Sequence, residues 1–319
     1  MAEPLLSVRD LCVDYVTDRG PVRAVDHVSF DLERGEILGV AGESGCGKST
    51  VAQALLRILP PPAVITGGQA LFEGRDLLAL DEGELRELRW QRISMVFQSA
   101  MDALNPVVPV GEQIRDTLCA HRRISARAAR ARAGELLELV GIPPALAGAY
   151  AHQLSGGMRQ RLGIAIALAL EPSLVILDEP TTALDVIVER EILGHIRTLQ
   201  RQLGFAVLFI THDLARMLQV SDRVAVFYAA RLVELGPAGD VRRAPRHPYT
   251  QGLLRAFPSV HGGTVELASI PGTPPSLSDP PAGCRFHPRC PLAVDLCRER
   301  DPELRRLAPR HAAACHLAK

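Results

Sequence analysis

The sequence lacks any charge imbalance and has few aromatic residues. Its 319 residues include 36 Lys and Arg against 36 Asp and Glu, and Phe, Trp and Tyr together make up 4%. A nucleic-acid-binding domain usually presents a basic face, and an anionic membrane attracts basic surfaces, so the overall charge favours neither class. The one basic stretch, residues 121–132, has no interleaved Phe, Tyr or Trp and is interpreted as a solvated helix face.

Long apolar runs are also missing. The longest, near residues 164–170, is far shorter than the ~18 residues that a membrane-spanning helix needs. Residues 1–10 lack the basic and then apolar layout of a secretory signal peptide. We therefore expect a cytoplasmic protein whose role at a membrane, if it has one, depends on other chains. The length predicts about two domains.

What the sequence does contain is a glycine-rich loop between a strand pattern and a helix pattern. The loop satisfies G-x-x-x-x-G-K-[ST]; the apolar residues 36–41 before it fit a buried strand, and residues 51–59 after it repeat at helical spacing. Its members are Gly42, Glu43, Ser44, Gly45, Cys46, Gly47, Lys48, Ser49 and Thr50. Glycines let backbone N–H groups surround an anion, and the helix start adds its positive dipole end. The pattern predicts binding of a nucleoside triphosphate, with Lys48 reaching the β- and γ-phosphates and Ser49 ligating Mg²⁺.

A second pattern ends in two adjacent carboxylates. Residues 174–177 are apolar and predict a fully buried strand, with Asp178 and Glu179 at its carboxyl end. Ligands of parallel sheets bind beyond the carboxyl ends of the strands, so both side chains are expected beside the phosphate loop. We assign Asp178 to hold Mg²⁺ and Glu179 to orient or deprotonate the attacking water.

Two further polar residues end apolar strand patterns. Gln98 follows residues 93–97, and His212 follows residues 205–211. At the same edge of a parallel sheet, Gln98 is a candidate contact for Mg²⁺ or the attacking water, and His212 a candidate catalytic residue. The alternative is a loop glutamine and a structural histidine.

Several other segments have simpler patterns. Residues 5–16 and 24–32 alternate apolar and polar residues, which predicts two half-exposed antiparallel strands. Tyr15, near the end of the first, either packs on neighbouring strands or stacks on an adenine ring. Residues 111–140 are expected to be helical, and residues 223–236 are expected to close the sheet as a hairpin.

Ser155, Gly156 and Gly157 precede a helical pattern over residues 158–170. N–H groups at a helix start can bind an anion, and this chain already holds one phosphate-binding pattern. A second anion site is therefore the more specific interpretation of these residues. The alternative is an ordinary helix N-cap after a flexible lead-in.

These elements, together with residues 154–160, which match the family's signature motif, and residues 184–185, follow one another in the order and spacing of ATPase subunits of ABC transporters. Residues 5–240 resemble these proteins. The resemblance implies an α/β fold: a P-loop NTPase core of the ABC type with an antiparallel β subdomain, a helical signature subdomain and a small irregular C-terminal extension. The implied boundaries are residues 1–97 with 160–240 for the core, 98–159 for the helical subdomain and 241–319 for the extension.

In this family two ATPase domains meet head to tail, with ATP between the phosphate loop of one and the signature of the other. The resemblance implies that the phosphate loop, Gln98, Asp178 and Glu179 act within one chain and that His212 contacts the γ-phosphate. The residues implied to act across the interface are Ser155, Gly156, Gly157 and Asp185, and Gln160 is a further implied nucleotide contact.

A narrower resemblance concerns the ATPases of dipeptide and oligopeptide importers. Residues 97–106, 247–254, 270–277 and 283–291 look like segments of these proteins. The resemblance implies ATP-driven peptide uptake at the cytoplasmic face of the inner membrane. It also implies two membrane permeases, an extracytoplasmic solute-binding protein and a second, usually non-identical, ATPase as partners. Importers of nickel or another small solute are the alternative, because they carry variants of the same extension.

Other classes of ABC ATPase fit less well. DNA-repair and chromosome ATPases place a long coiled coil between the phosphate loop and the signature, and no sustained heptads lie there in this chain. ABC proteins that act on ribosomes normally carry two ATPase domains, whereas this sequence has one phosphate-loop pattern. The extension disfavours an exporter subunit.

Four of the seven cysteines crowd the end of the chain: Cys284, Cys290, Cys297 and Cys315. Residues 270–291 are dense in proline and glycine, which build little core, so a cross-link is expected. The spacing lacks the close pairs typical of zinc sites, and a cytosolic setting disfavours disulfides. Four thiolates can hold a [4Fe–4S] cluster, as some relatives do. Zinc is the alternative, because His287, His311 and His316 are near in sequence.

Overall fold

The computed structural model describes residues 3–98, 103–181, 185–256 and 270–319. The chain divides into two compact units. The first joins Met1–Leu80 to Phe209–Lys319, and the second is Asp81–Leu208. The division falls inside strand β8, Ala206–Thr211, whose six residues are all buried.

The first unit combines two sheets with short helices. Its strands are β1 (Leu6–Thr17), β2 (Gly20–Leu32), β3 (Ile37–Ala41), β4 (Ala63–Phe72), β5 (Arg75–Asp76), β9 (Arg223–Tyr228), β10 (Arg231–Pro237), β11 (Arg305–Ala308) and β12 (His311–Ala313). Its helices are α1 (Lys48–Leu55), α7 (Leu214–Val220), α8 (Ala238–Arg243), α9 (Pro248–Ala256) and α10 (Asp295–Glu299).

One sheet of this unit is antiparallel, in the order β2-β1-β4-β5. Leu6 lies opposite Leu32 on β2 and opposite Phe72 on β4. The predicted antiparallel pairing of the first two strands is therefore confirmed. Strand β1 is buried along most of its length, more than its alternating pattern predicted, because it lies between two neighbours.

The other strands of this unit run in the order β11-β12-β10-β9-β3. Strands β3 and β9 are parallel, and β9 and β10 form the predicted antiparallel hairpin. Helix α7 covers β3 so closely that a Cβ on Gly39 would lie 2.3 Å from Cγ of Met217. A side chain at position 39 would force the helix away from the sheet.

The hairpin does not close the sheet, contrary to the sequence-based expectation, because β12 pairs with β10. An uncovered edge strand leaves N–H and C=O groups without partners, and the C-terminal extension supplies them here. The fully buried carboxylate of Glu234 on β10 reinforces this junction. It accepts hydrogen bonds from the N–H groups of Arg246 and His247 and lies 2.8 Å from Nε2 of His311.

The second unit is mainly helical. Its helices are α2 (Glu82–Leu88), α3 (Val110–His121), α4 (Ala126–Leu139), α5 (Gly156–Leu168) and α6 (Val186–Leu203). Its parallel strands are β6 (Ile93–Val96) and β7 (Leu174–Asp178), with Val96 opposite Leu177. The stretch predicted as helical over residues 111–140 is two helices, because Ser125 caps the start of α4 and accepts from the N–H of Ala128 at 3.2 Å.

Within the described ranges, no helix is both long enough and apolar enough to span a membrane.

Candidate functional site

The phosphate loop connects buried β3 to α1 and depends on glycine at two positions. Gly42 has φ +154° and Gly47 has φ +102°, in the region that side chains rarely adopt. A Cβ on Gly42 would lie 2.3 Å from the carbonyl oxygen of Phe227, and one on Gly47 would lie 2.1 Å from that of Ala24. Neighbouring backbone therefore fixes the path of the loop.

Lys48 lies inside this loop and is 5% exposed. Its Nζ donates to the carbonyl oxygens of Gly42 at 2.8 Å and Glu43 at 3.0 Å. The loop is thus curled around the ammonium group, at the start of a helix with no acidic residue in its first turn. Burial raises the pKa of the Cys46 thiol, so this neighbour is uncharged at neutral pH. The arrangement is suited to an anion.

The other residues of the first unit that were predicted to contact the nucleotide are exposed or half-buried. Ser44 and Gly45 form the exposed tip of the loop, and Ser49 and Thr50 lie half-buried in the first turn of α1. Two more predicted contacts lie elsewhere in this unit. Tyr15 is half-buried near the end of β1, and His212 is exposed directly after β8.

No local sequence pattern indicates the residues that hold Glu43. The Arg289 guanidinium makes a bidentate ion pair with the Glu43 carboxylate, with N–O distances of 2.7 Å and 3.0 Å. The N–H of Glu43 donates to the hydroxyl of Tyr249 at 3.0 Å. Both partners come from the C-terminal part of the chain, more than 200 residues away in sequence. A single sequence carries no pattern that pairs positions so far apart.

In the second unit, Gln98 and Glu179 come together. They follow the neighbouring parallel strands β6 and β7, and Nε2 of Gln98 donates to Oε2 of Glu179 at 3.1 Å. Asp178, the last residue of β7, is 3% exposed. Glu179 has φ +46°, a left-handed conformation that costs a residue with a side chain about 1–3 kcal/mol. Strain of this kind, beside a buried carboxylate, is typical of functional sites.

Ser155 and Asp185 each cap a helix in this unit. Ser155 accepts from the N–H of Met158 at 3.3 Å at the start of α5. Asp185 accepts from the N–H groups of Ile187 and Val188 at the start of α6. The N-cap interpretation of Ser155 is therefore correct as geometry, and a capped helix start is also where an anion can bind.

The glycines of the signature lie in the first turn of α5, Gly156 at its first position. A Cβ on Gly157 would lie 2.7 Å from Cγ1 of Val188, so the two helix starts pack closely. Gln160 is 2% exposed, and its Nε2 has no hydrogen-bond partner in the described part of the chain. Residue 184 and residues 99–102 of the recognised patterns lie outside the described residues.

The four C-terminal cysteines line one small cavity: Cys284, Cys290, Cys297 and Cys315. Burial raises the pKa values of Cys284, Cys290 and Cys315, and nearby backbone N–H groups oppose this rise in part. Burial raises the pKa of Cys284 to about 11, so its thiol is protonated at neutral pH unless a cation is bound. All four are free thiols.

The histidines near these cysteines differ in position. His287 and His316 line the cavity. His311 does not, because its buried ring pairs with Glu234 on β10. The idea that His311 could be a zinc ligand is therefore wrong.

Two family profiles match successive parts of this chain, and the relatives match nearly all of it. The ABC transporter family profile matches residues 25–182, and the profile described as oligopeptide/dipeptide transporter, C-terminal region, matches residues 233–297. The oligopeptide transport ATP-binding protein OppD of Bacillus subtilis is 46% identical over 96% of this chain and 87% of its own. The dipeptide transport ATP-binding protein DppD is 45% identical in Bacillus subtilis, over 99% of this chain and 95% of its own. Its Escherichia coli counterpart is 42% identical, over 98% and 96%.

Solved structures of ABC ATPases are also similar to this chain, at lower identity. The ATP-binding cassette MJ0796, seen as a dimer in a post-hydrolysis state bound to ADP and Pi, has a TM-score of 0.66 and 26% identity, over 73% of this chain and 98% of its own. The protein cbiO1 of Clostridium perfringens, part of the ABC transporter complex cbiONQ, has a TM-score of 0.65 and 28% identity, over 75% and 91%.

Proposed function

The chain belongs to the ATP-binding subunits of oligopeptide and dipeptide ABC transporters, and we propose that it hydrolyses ATP to energise peptide uptake across the cytoplasmic membrane. The observation that carries this proposal is the succession of two family matches, the ATPase at residues 25–182 and the peptide-transporter extension at residues 233–297. An ABC ATPase core alone would leave the kind of transport open. The fold is that of an ABC-type P-loop ATPase, as the sequence predicted.

In this proposal the phosphate loop binds the triphosphate of ATP. Backbone N–H groups of the loop and of the α1 start contact phosphate oxygens, and Lys48 neutralises charge on the β- and γ-phosphates. Mg²⁺ prefers hard oxygen ligands, which Ser49, Gln98 and Asp178 offer. When bound, the metal neutralises charge that develops on the transferred phosphoryl group.

Glu179 is proposed as the general base. Its carboxylate accepts the hydrogen bond from Gln98, so Gln98 can hold it in position and orient the attacking water. The strained backbone at Glu179 fixes the carboxylate before the substrate arrives. His212 is proposed to contact the γ-phosphate, and Tyr15 to stack on the adenine ring.

A second ATPase domain completes the proposed site. In the family arrangement the signature residues and Asp185 face the nucleotide of the other subunit, which we propose to be non-identical. Membrane permeases and a solute-binding protein are the partners that the family implies, so the chain associates peripherally with the membrane, on its cytoplasmic face in our proposal. The domain boundaries implied by the resemblance, at residues 97, 160 and 240, remain part of this proposal.

We further propose that the four C-terminal cysteines hold a [4Fe–4S] cluster. Their convergence on one cavity fits a metal–thiolate centre.

The test is transport by the assembled importer in proteoliposomes, with the two permeases, the partner ATPase and the solute-binding protein. Peptide-dependent ATP hydrolysis and peptide accumulation are expected for the parent chain and not for the Glu179→Gln variant. Accumulation of nickel without any response to peptides would reject the proposed substrate. Hydrolysis unaffected by permeases and binding protein would reject the transport function.

A further inference from the structure

Arg289 is a buried cation, and each of its three side-chain nitrogen atoms donates to an acceptor in the first unit. Its side chain is 6% exposed. Besides the two oxygens of Glu43, it donates to the carbonyl of Pro271 at 2.9 Å and to the hydroxyl of Tyr228 at 3.3 Å. Its guanidinium carbon lies 5.8 Å from the centre of the Tyr228 ring. Bidentate pairing and burial fix the guanidinium in one orientation.

Tyr249 holds the same loop residue through the backbone. Its fully buried hydroxyl accepts from the N–H of Glu43, while its own N–H donates to Nδ1 of His247 at 3.0 Å. The Tyr249 ring packs against Tyr228 and Phe286, with ring centres 4.6 Å and 5.4 Å apart. Glu43 is therefore held at its carboxylate and at its N–H by residues that the ATPase pattern does not include.

The position of Glu43 in turn affects the lysine of the loop. The carbonyl oxygen of Glu43 is one of the two carbonyls that accept from Nζ of Lys48. A displaced Glu43 would move this carbonyl oxygen. It would also move the neighbouring backbone N–H groups that we propose to contact the phosphates. It would also leave a carboxylate without its counter-charge at the edge of a site that binds a polyanion.

We propose that Arg289 is a positioning residue for the phosphate loop, acting through Glu43, with Tyr249 as its second support. The inference rests on the proposed binding of ATP by this loop. It assigns the C-terminal extension a role in nucleotide affinity. Arg289 itself is not expected to touch the nucleotide.

The test is a double-mutant cycle on the full chain, with the Kd for MgATP measured by calorimetry. Arg289→Ala should raise the Kd about tenfold, because the loop loses its support and gains an unpaired carboxylate. Glu43→Gln should have a smaller effect. The double variant should bind within about twofold of Glu43→Gln alone, since the unpaired charge is gone. A residue that only stabilises the fold would not give this rescue.

Arg285→Ala is the matched control. Arg285 is a partly buried arginine of the same extension, but it pairs with Asp26 on β2 and not with the loop. Its replacement should lower the melting temperature about as much as Arg289→Ala and leave the Kd within about twofold of the parent. Metal content per chain is matched between variants, so that loss of the cysteine site does not mimic the effect.

The outcomes separate the two proposals. A parent chain that does not bind MgATP would reject the proposed function itself. If the parent binds MgATP, two results would reject the role of Arg289. One is a Kd for Arg289→Ala no higher than that for Arg285→Ala. The other is a double variant in which the effects of Arg289→Ala and Glu43→Gln on the binding free energy simply add. If Arg289→Ala does not fold, Arg289→Lys and Tyr249→Phe replace it. Each should weaken binding about threefold or more, and parental affinity in both would overturn the inference.

Discussion

Gln98 donates a hydrogen bond of 3.1 Å to the carboxylate of Glu179, across the ends of two neighbouring parallel strands. The pair forms because β6 and β7 lie in register and both stop at this edge. Together with the left-handed backbone of Glu179, the bond defines where the carboxylate points. A base whose position is set in advance needs little reorganisation when it orients or deprotonates the attacking water.

Replacing this carboxylate should separate binding from hydrolysis. Glu179→Gln keeps the size of the side chain and removes the base, so we expect unchanged ATP affinity and a fall in turnover of about 10²–10⁴-fold. Glu171→Gln is the matched control, because Glu171 is an exposed glutamate that also has positive φ and pairs with Arg132. Turnover is measured as phosphate release by the assembled transporter. A parental rate in Glu179→Gln would show that another group activates the water.

Lys48→Ala should act on binding itself. The buried ammonium is the charge around which the loop is curled, so its loss should raise the Kd for ATP tenfold or more. A ligand that binds the folded state raises its melting temperature. Millimolar MgATP should therefore raise the melting temperature of the parent and hardly change that of Lys48→Ala. An equal rise in both would contradict the assigned role of Lys48.

Steady hydrolysis should require a second ATPase domain, and Ser155 offers a way to test it. Ser155→Arg places a bulky cation at the signature and should abolish hydrolysis by the assembled complex. Ser155→Ala removes the cap of α5 without adding bulk, at a cost of about 1 kcal/mol in stability, and should keep much of the activity. The rate per chain should also fall on dilution. A verified monomer that hydrolyses ATP at an undiminished rate would rule out the shared site.

The cysteine site should bind iron and sulfide. Chain purified without oxygen is expected to be brown, with broad absorption near ~400 nm and about four irons per chain. Cys290→Ser should remove the colour, whereas Cys119→Ser should not, because Cys119 is exposed on α3. One zinc ion per chain without iron would show that the site holds the alternative metal and not a cluster. Four free thiols with neither metal, in a folded extension, would reject both.

The parts of the fold that the sequence predicts are those with dense local patterns. Buried strands such as β3 and β7 are short apolar runs bounded by polar residues, and the glycine loop lies directly between a strand and a helix. Strands β11 and β12 were not predicted. They are three or four residues long, and they exist because β10 offers an edge to pair with.

Contacts between distant positions could not be predicted from local patterns. His311 was expected near a metal because of its place in the sequence, yet it pairs with Glu234, a residue of a strand 77 positions earlier. Arg289 and Glu43 are separated by 246 positions. The roles of the nucleotide-binding and signature residues are predictions, which ATP binding and hydrolysis by the variants test.

The 246-residue separation between Glu43 and Arg289 has a consequence during protein synthesis. A ribosome adds about 5–20 residues per second, so Arg289 follows Glu43 by about 12–50 s. Strand β9, the parallel neighbour of β3, is also made long after the loop. A nascent chain therefore displays every nucleotide-binding motif well before it contains the residues that hold its phosphate loop in place.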